Sequence, residues 1–107
     1  MFARIVTMPL KANSSTAEFA KAIENGAIPL LRTHKGFLDE IALVTADGKT
    51  GFGISFWDSK ESAEAYSRSG YSEVMKALEK VTGGPTQAQL CEVTNSTAQK
   101  IAAARAA

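Results

Sequence analysis

Residues 37–57, "FLDEIALVTADGKTGFGISFW", contain two apolar segments of equal length separated by a short polar one. Asp47 and Gly48 lie within the polar segment, and an Asp-Gly pair favours a tight primed turn between antiparallel strands. The stretch therefore predicts a β-hairpin, with strands over residues 37–44 and 50–57. The other elements of the fold are placed around this hairpin.

The second strand of the hairpin has two unequal faces, because successive side chains of a strand point to opposite sides. One face carries bulky or branched residues. The other carries almost no side-chain volume until the tryptophan at its end, and its members are Gly51, Gly53, Ser55 and Trp57. Two interpretations of Trp57 stay open: it packs over the first turn of the next helix, or its ring also borders a ligand cavity.

Upstream of the hairpin, residues 2–8 predict a strand, and Ser15 with Glu18 forms a capping-box pattern that predicts a helix from about residue 16. Pro29 cannot donate a backbone hydrogen bond and Gly26 weakens the same turn, so a kink or break is expected there. Gly36 is suited to a left-handed conformation at the end of this helical region.

Downstream of the hairpin, the sequence predicts a helix that begins with a second capping box, Asp58 with Glu61, and is interrupted at Gly70. "GGP" at 83–85 ends its second piece, and residues 86–94 predict a fourth strand. The order β-α-β-β-α-β predicts an α+β fold in which an antiparallel four-stranded sheet carries both helices on one face. We expect one domain over residues 1–95 and an alanine-rich helical tail over 96–107.

The strands are apolar at both parities, which a sheet covered by helices on one side only does not require. Strand 1 has Phe2, Val6 and Met8 against Ala3 and Ile5. In strand 2, alternation sets Phe37, Ile41 and Leu43 against Leu38, Ala42 and Val44. A homodimer that packs sheet against sheet would bury the second face, and the alternative is that the tail folds back over it.

Bulk composition narrows the functional classes for this chain of 107 residues with formal net charge +1. No basic field is present to attract nucleic acid, and no apolar run is long enough for a membrane span or a signal peptide. Cys91 and His34 are the only residues of their types, too few for a metal site of His and Cys ligands. We expect a cytoplasmic protein without a metal or other cofactor.

Residues 2–94 resemble the antibiotic biosynthesis monooxygenase domain of the dimeric α+β barrel superfamily. The most specific part is "FWDSKESAEAYSRS" at residues 56–69, together with Gly36 and Phe37. The resemblance implies a ferredoxin-like fold that dimerises through its sheets. For function, the resemblance implies one of three classes of family member: cofactor-independent monooxygenases of phenols or quinols, haem-degrading monooxygenases, or proteins without known activity.

The resemblance does not extend to haem degradation. The haem degraders place an Asn on strand 1, a Trp in helix 2 and a His ten residues beyond that Trp. Strand 1 of this sequence has no Asn. The residue nine positions after Trp57 is Tyr66, and the residue ten positions further on is Lys76. What remains is the phenol or quinol type of chemistry, which needs a dry pocket, a base and donors for a developing oxyanion.

For that chemistry the sequence offers few residues. His34 and Tyr66 are the catalytic candidates, as base and phenolic donor. The candidates for substrate binding are Trp57, Tyr66, Phe37, Tyr71, Gly51 and Gly53. Against the hypothesis of a monooxygenase for a small aromatic substrate stand a non-enzymatic binding protein and a structural module on the same scaffold.

Overall fold

The computed structural model describes residues 1–98. Its strands are Phe2–Pro9 (β1), Phe37–Val44 (β2), Thr50–Trp57 (β3) and Gln87–Glu92 (β4). Its helices are Thr16–Ala22 (α1), Ile28–Leu31 (α2), Lys60–Ser69 (α3) and Tyr71–Ala77 (α4). The predicted order β-α-β-β-α-β is confirmed, with each predicted helix divided into two pieces.

The strands form one antiparallel sheet in the order β2-β3-β1-β4. The main core lies between the sheet and the helices, where Met8 and Trp57 of the sheet pack with Phe19, Tyr66 and Leu78. Both helical regions therefore cover the same face, as the sequence predicts. The predicted tail helix falls largely on residues 99–107, which lie outside the described residues, and residues 93–98 contain no helix.

The predicted break in the first helix takes the form of a π-helical turn over Ile23–Ala27. The Ile28 N–H donates to the Ile23 carbonyl, a wider spacing than the normal helical bond. Pro29 has no N–H to donate and its ring crowds the carbonyl four residues earlier, so a regular turn cannot continue through this point. The helix resumes as α2 with Pro29 in its first turn.

Helix α3 begins one residue later than the second capping box predicted. Ser59 is the N-cap, and its side chain accepts a hydrogen bond from the Ser62 N–H. Asp58 lies outside the helix because its own N–H donates to the Gly36 carbonyl at 2.9 Å. Gly36 has the expected left-handed conformation, with φ of 85°.

The hairpin turn differs from the primed type that Asp47 and Gly48 suggested. Only Gly48 has a positive φ, 75°, whereas a type I′ turn requires positive φ at both central residues. The Gly48 N–H instead donates to the Thr45 carbonyl, and the Thr45 N–H donates to Thr50. Asp47 stabilises this loop by accepting hydrogen bonds from the Thr45 hydroxyl and the Lys49 N–H.

A bulge at Leu38 changes the predicted faces of β2. Phe37 pairs with Trp57 and Asp39 pairs with Phe56, so Leu38 is the additional residue. Phe37 consequently packs on the helix-facing core with Ala42 and Val44, and Leu38 packs on the opposite face of the sheet. The simple alternation, which grouped Phe37 with Ile41, was wrong for this end of the strand.

The sheet face opposite the helices, called here the outer face, is apolar. Ala3 and Phe56 form a small cluster there, against which partly buried residues pack: Met1, Leu38, Ile54 and Val93. Ile41 and Leu43 on β2 remain 41% and 49% exposed. No helix within residues 1–98 is long and apolar enough to cross a bilayer.

Candidate functional site

A row of polar residues crosses the sheet beneath the helices. Arg4 on β1 and Glu40 on β2 both pair with Ser55 on the strand between them. Adjacent strands are about 4.8 Å apart, which separates the Arg4 and Glu40 backbones by roughly 10 Å. All three side chains line one cavity between the sheet and the helices.

This cavity has a volume of about 30 Å³, close to that of a single water molecule. Its polar lining residues are the three residues of the row described above and the tyrosines Tyr66 and Tyr71. The other side chains that line it are mostly aliphatic. Gly53 lies two residues before Ser55 on the same face of β3, where a Cβ would lie 3.5 Å from Glu40 Oε1. The cavity is large enough for water or dioxygen but much smaller than the several hundred cubic ångströms of typical ligand sites.

Glu40 has an unusual environment for a carboxylate. Burial, and secondarily the negative charge of Asp39, raises its pKa from 4.5 to about 8. The Asp39 side chain accepts a hydrogen bond from the Glu40 N–H, which holds the Asp39 carboxylate near the Glu40 backbone. A carboxyl group with a pKa near neutrality can both accept and return a proton during catalysis.

Arg4 is a buried cation, with only 7% of its surface exposed. Its guanidinium carbon lies 4.0 Å from the centroid of the Tyr71 ring and 5.5 Å from that of Tyr66. Within residues 1–98 its side chain makes one hydrogen bond, a long one of 3.5 Å to Ser67 Oγ. The cation is therefore stabilised through the faces of aromatic rings, and most of its in-plane donors are open to solvent.

Tyr66 is the centre of an aromatic cluster. It stacks on Trp57 with centroids 4.9 Å apart and meets His34 and Tyr71 edge-on. Burial raises the pKa of the Tyr66 hydroxyl above its ordinary value, although Arg4 acts in the opposite direction. Tyr66 is consequently a neutral hydrogen-bond donor at physiological pH.

Trp57 is fully buried, with 0% of its surface exposed. Its indole N–H donates to Ser55 Oγ at 2.9 Å, and Phe37 packs edge-on against its ring at 5.6 Å. It reaches the cavity only through Ser55 and Tyr66, which do line it. The packing interpretation of Trp57 therefore describes its contacts, and its link to the cavity is indirect.

The remaining residues predicted for the site are divided between the cavity and other places. Gly53 and Tyr71 line the cavity. The space above Gly51 is filled by Phe19 and Leu10, whose side chains would lie 2.9 to 3.2 Å from a Cβ at this position. His34 lies with Lys35 and Asp58 along a separate surface groove, which shares Tyr66 with the cavity.

Arg4 and Glu40 were missed by the sequence analysis, although a signal for both exists. Arg4 shares strand parity with Phe2, Val6 and Met8, and Glu40 shares parity with Ala42 and Val44. A charged residue at a core-facing position of a strand is rarely neutral for stability, because it is desolvated there. Among residues 1–98, no group of three or more His, Cys, Asp or Glu side chains is placed to hold a metal ion.

Comparison with solved structures identifies the fold. A monooxygenase from the gene ActVA-Orf6 of Streptomyces coelicolor, solved in complex with nanaomycin D, matches with a TM-score of 0.71 and 20% identity over 89% of this chain and 88% of its own. SnoaB, a cofactor-independent oxygenase from Streptomyces nogalater, matches with a TM-score of 0.66 and 15% identity over 92% and 97%.

A protein of unknown function from Nitrosomonas europaea matches with a TM-score of 0.66 and 18% identity over 90% and 91% of the two chains. No protein-family model and no curated protein sequence matches this chain. The chain therefore has the fold of the antibiotic biosynthesis monooxygenases, as the resemblance predicted. At these identities the likeness concerns the fold alone, and that fold serves proteins with and without an assigned activity.

Proposed function

We propose that this protein is a cofactor-independent monooxygenase that oxidises a small electron-rich phenol or quinol between the sheet and the helices. The observation that carries the proposal is the carboxyl group of Glu40, which faces the cavity with a pKa of about 8. Tyr66 and Arg4 line the same cavity and would stabilise an oxyanion there. Glu40 takes the role of base that the sequence suggested for His34, because His34 lies outside the cavity lining.

The proposed reaction converts a phenol and dioxygen into a quinone and water, so the substrate supplies all four electrons. The Glu40 carboxylate removes the phenolic proton, and the phenolate passes an electron to dioxygen. Recombination forms a C–O bond at the para carbon, and Glu40 returns the proton to give a hydroperoxide. Glu40 then removes the proton from that carbon as the O–O bond breaks, and the departing hydroxide takes this proton and leaves as water.

Binding of a phenol requires one wall of the cavity to move, since the enclosed volume is only about 30 Å³. Tyr71 and Met75 on α4 are the half-buried members of the lining on the helix side. Met changes rotamer at low cost because its side chain is unbranched. We therefore assign the opening to α4, where Met75 moves away from the sheet.

Oxygen consumption with a series of monocyclic phenols tests the proposal. We expect one quinone formed per dioxygen consumed, with one labelled atom incorporated from ¹⁸O₂. Glu40→Gln should lower the rate by roughly 100-fold, the usual contribution of a general base, while the exposed control Glu79→Gln leaves it unchanged. The rate of the unmodified protein should rise with pH to a plateau above about 8, as Glu40 ionises.

A non-enzymatic binding protein is the second candidate, since a protein of unknown function from Nitrosomonas europaea has the same fold. It is the conclusion if none of the phenols is turned over but one of them shifts the fluorescence of Trp57, the only tryptophan. Trp57 reports on the cavity because its ring stacks on Tyr66 and its N–H is bonded to Ser55.

We also propose that two copies of the chain pack through their outer faces. Ile41 and Leu43 are 41% and 49% exposed, beside the apolar cluster of Ala3 and Phe56. Contiguous apolar surface of this kind is typical of an interface, and identical faces can meet about a two-fold axis. Sedimentation equilibrium at micromolar concentration should give twice the chain mass of 11.3 kDa.

A further inference from the structure

A second concavity lies on the far side of Arg4, between α3 and the edge strand β4. It is a groove of about 250 Å³ that is open to solvent. Its residues are Arg4, Ala63, Glu64, Ser67, Ala88, Gln89 and Leu90. This space, called here the α3–β4 groove, is large enough for a ligand with one ring, whereas the cavity beside it is not.

The guanidinium of Arg4 belongs to both spaces. Its face is occupied by Tyr71 at 4.0 Å, and its edge reaches Ser67 Oγ, which lines the groove. An arginine carries five N–H donors in a planar fork, and ring contacts use the face rather than these donors. Within residues 1–98 the only acceptor is Ser67 at 3.5 Å, and no buried side-chain nitrogen or oxygen lacks a partner. The remaining donors of the fork are therefore open to solvent, although the residue as a whole is only 7% exposed.

A largely buried guanidinium is normally paired with a carboxylate, and here the place of that carboxylate is open to solvent. Glu64 lines the same groove but is exposed, and it makes no hydrogen bond to Arg4 among the described residues. Ala63 and Ala88 leave the floor of the groove free of large side chains, and Leu90 adds an apolar wall. The arrangement offers a planar cation to an anion and an apolar surface to the rest of a ligand.

We propose that the α3–β4 groove binds a small carboxylic acid, whose carboxylate pairs with the edge of the Arg4 guanidinium and whose apolar part lies against Ala63, Ala88 and Leu90. A carboxylate matches the fork of an arginine with two parallel hydrogen bonds, a geometry that a neutral amide or alcohol cannot reproduce. The groove shares Arg4 with the proposed oxygenation site. Benzoate binding requires neither Glu40 nor turnover, so the two proposals can fail separately.

Benzoate is the probe, with benzamide and benzyl alcohol as neutral ligands of similar size. Titration followed by ¹H–¹⁵N NMR should show benzoate binding at least about tenfold more tightly than either, as expected for charge-assisted hydrogen bonds. The Arg4 Nε–H resonance and the amides of Ser67 and Gln89 should shift. Equal affinity for the three probes, no binding by benzoate, or shifts confined to other regions would overturn the proposal.

Variants of Arg4 and its neighbours test whether the carboxylate binds to Arg4. Arg4→Gln should reduce benzoate affinity to that of benzamide, and Arg4→Lys should retain part of it, whereas the exposed control Arg68→Gln should change it by less than about twofold. Glu64→Gln should strengthen binding, because it removes a negative charge from the rim of the groove. Retention of full benzoate affinity in Arg4→Gln would refute the assignment.

A further variant covers the case in which Arg4→Gln does not fold. Ala88 is exposed on the edge strand and lines the groove, so Ala88→Phe fills the groove without altering Arg4. Its thermal unfolding should match that of the unmodified protein while benzoate binding is lost. Unchanged benzoate binding in this variant would show that benzoate binds outside the α3–β4 groove and would refute the proposal.

Discussion

Replacement of Glu40 by Gln tests the electrostatic description of the cavity most directly. Burial raises the pKa of Glu40 from 4.5 to about 8 in the folded protein, whereas the unfolded chain titrates near the lower value. Between these pH values the folded state retains a proton that the unfolded state has released. The stability associated with this proton is therefore complete below pH 4.5 and is lost progressively as pH rises to about 8.

The size of the effect follows from the same interval. At about 1.4 kcal/mol per pH unit, the range from 4.5 to about 8 sets an upper limit of roughly 5 kcal/mol. Glu40 retains some contact with solvent, so we discount this limit to about 2 kcal/mol. For a domain of this size, that corresponds to a difference of roughly 10 °C in Tm.

Urea denaturation followed by circular dichroism, at fixed protein concentration, measures the difference between about pH 5 and pH 8. The unmodified protein should lose about 2 kcal/mol more than Glu40→Gln across this range, because Gln does not ionise. Glu79→Gln, which changes an exposed carboxylate, should follow the unmodified protein. Parallel losses in the unmodified protein and Glu40→Gln would show that Glu40 titrates as an ordinary carboxylate and would remove the basis for its role as base.

Three further predictions concern packing, assembly and domain limits. Gly51→Ala should lower the free energy of unfolding in urea by about 1 to 3 kcal/mol, because its Cβ would lie 2.9 Å from Phe19. Gly53→Ala, whose Cβ has its nearest contact at 3.5 Å, should lower it by less than about 1 kcal/mol. Leu43→Lys should shift sedimentation to the single-chain mass, and Ala20→Lys on the exposed side of α1 should not. Truncation after Asn95 should leave Tm and the dimeric state unchanged, since we propose that residues 1–95 form the folded domain.

The element order was predictable because each segment carried its own local signal. The hairpin was set by two apolar runs around Asp47-Gly48, and the break before α2 by Pro29. Details that depend on partners were not predictable in this way. The bulge at Leu38 exists because Phe37 pairs with Trp57 while Asp39 pairs with Phe56, and the sequence of one strand does not specify that register.

The candidate site was only partly predictable for the same reason. Tyr66, Tyr71 and Gly53 were chosen as aromatic or small residues, and they do line the cavity. Arg4 and Glu40 lie about 36 residues apart in the chain and meet on either side of Ser55 only when β1, β3 and β2 are placed in register. Their charge in otherwise apolar strand faces was visible, but the cavity that they share was not.

The placement of these two charges bears on why the fold retains them. A buried Arg and Glu that served stability would be expected in contact, because their mutual attraction offsets the cost of desolvation only at short range. Here a complete strand separates them, Arg4 rests on tyrosine rings, and Glu40 has a raised pKa with no cation among its causes. Within residues 1–98, each group thus lies on a different side of Ser55 without an ionic partner. This arrangement is the one that our two proposals require, with a carboxylic acid bound at Arg4 and a proton-donating phenol bound at Glu40.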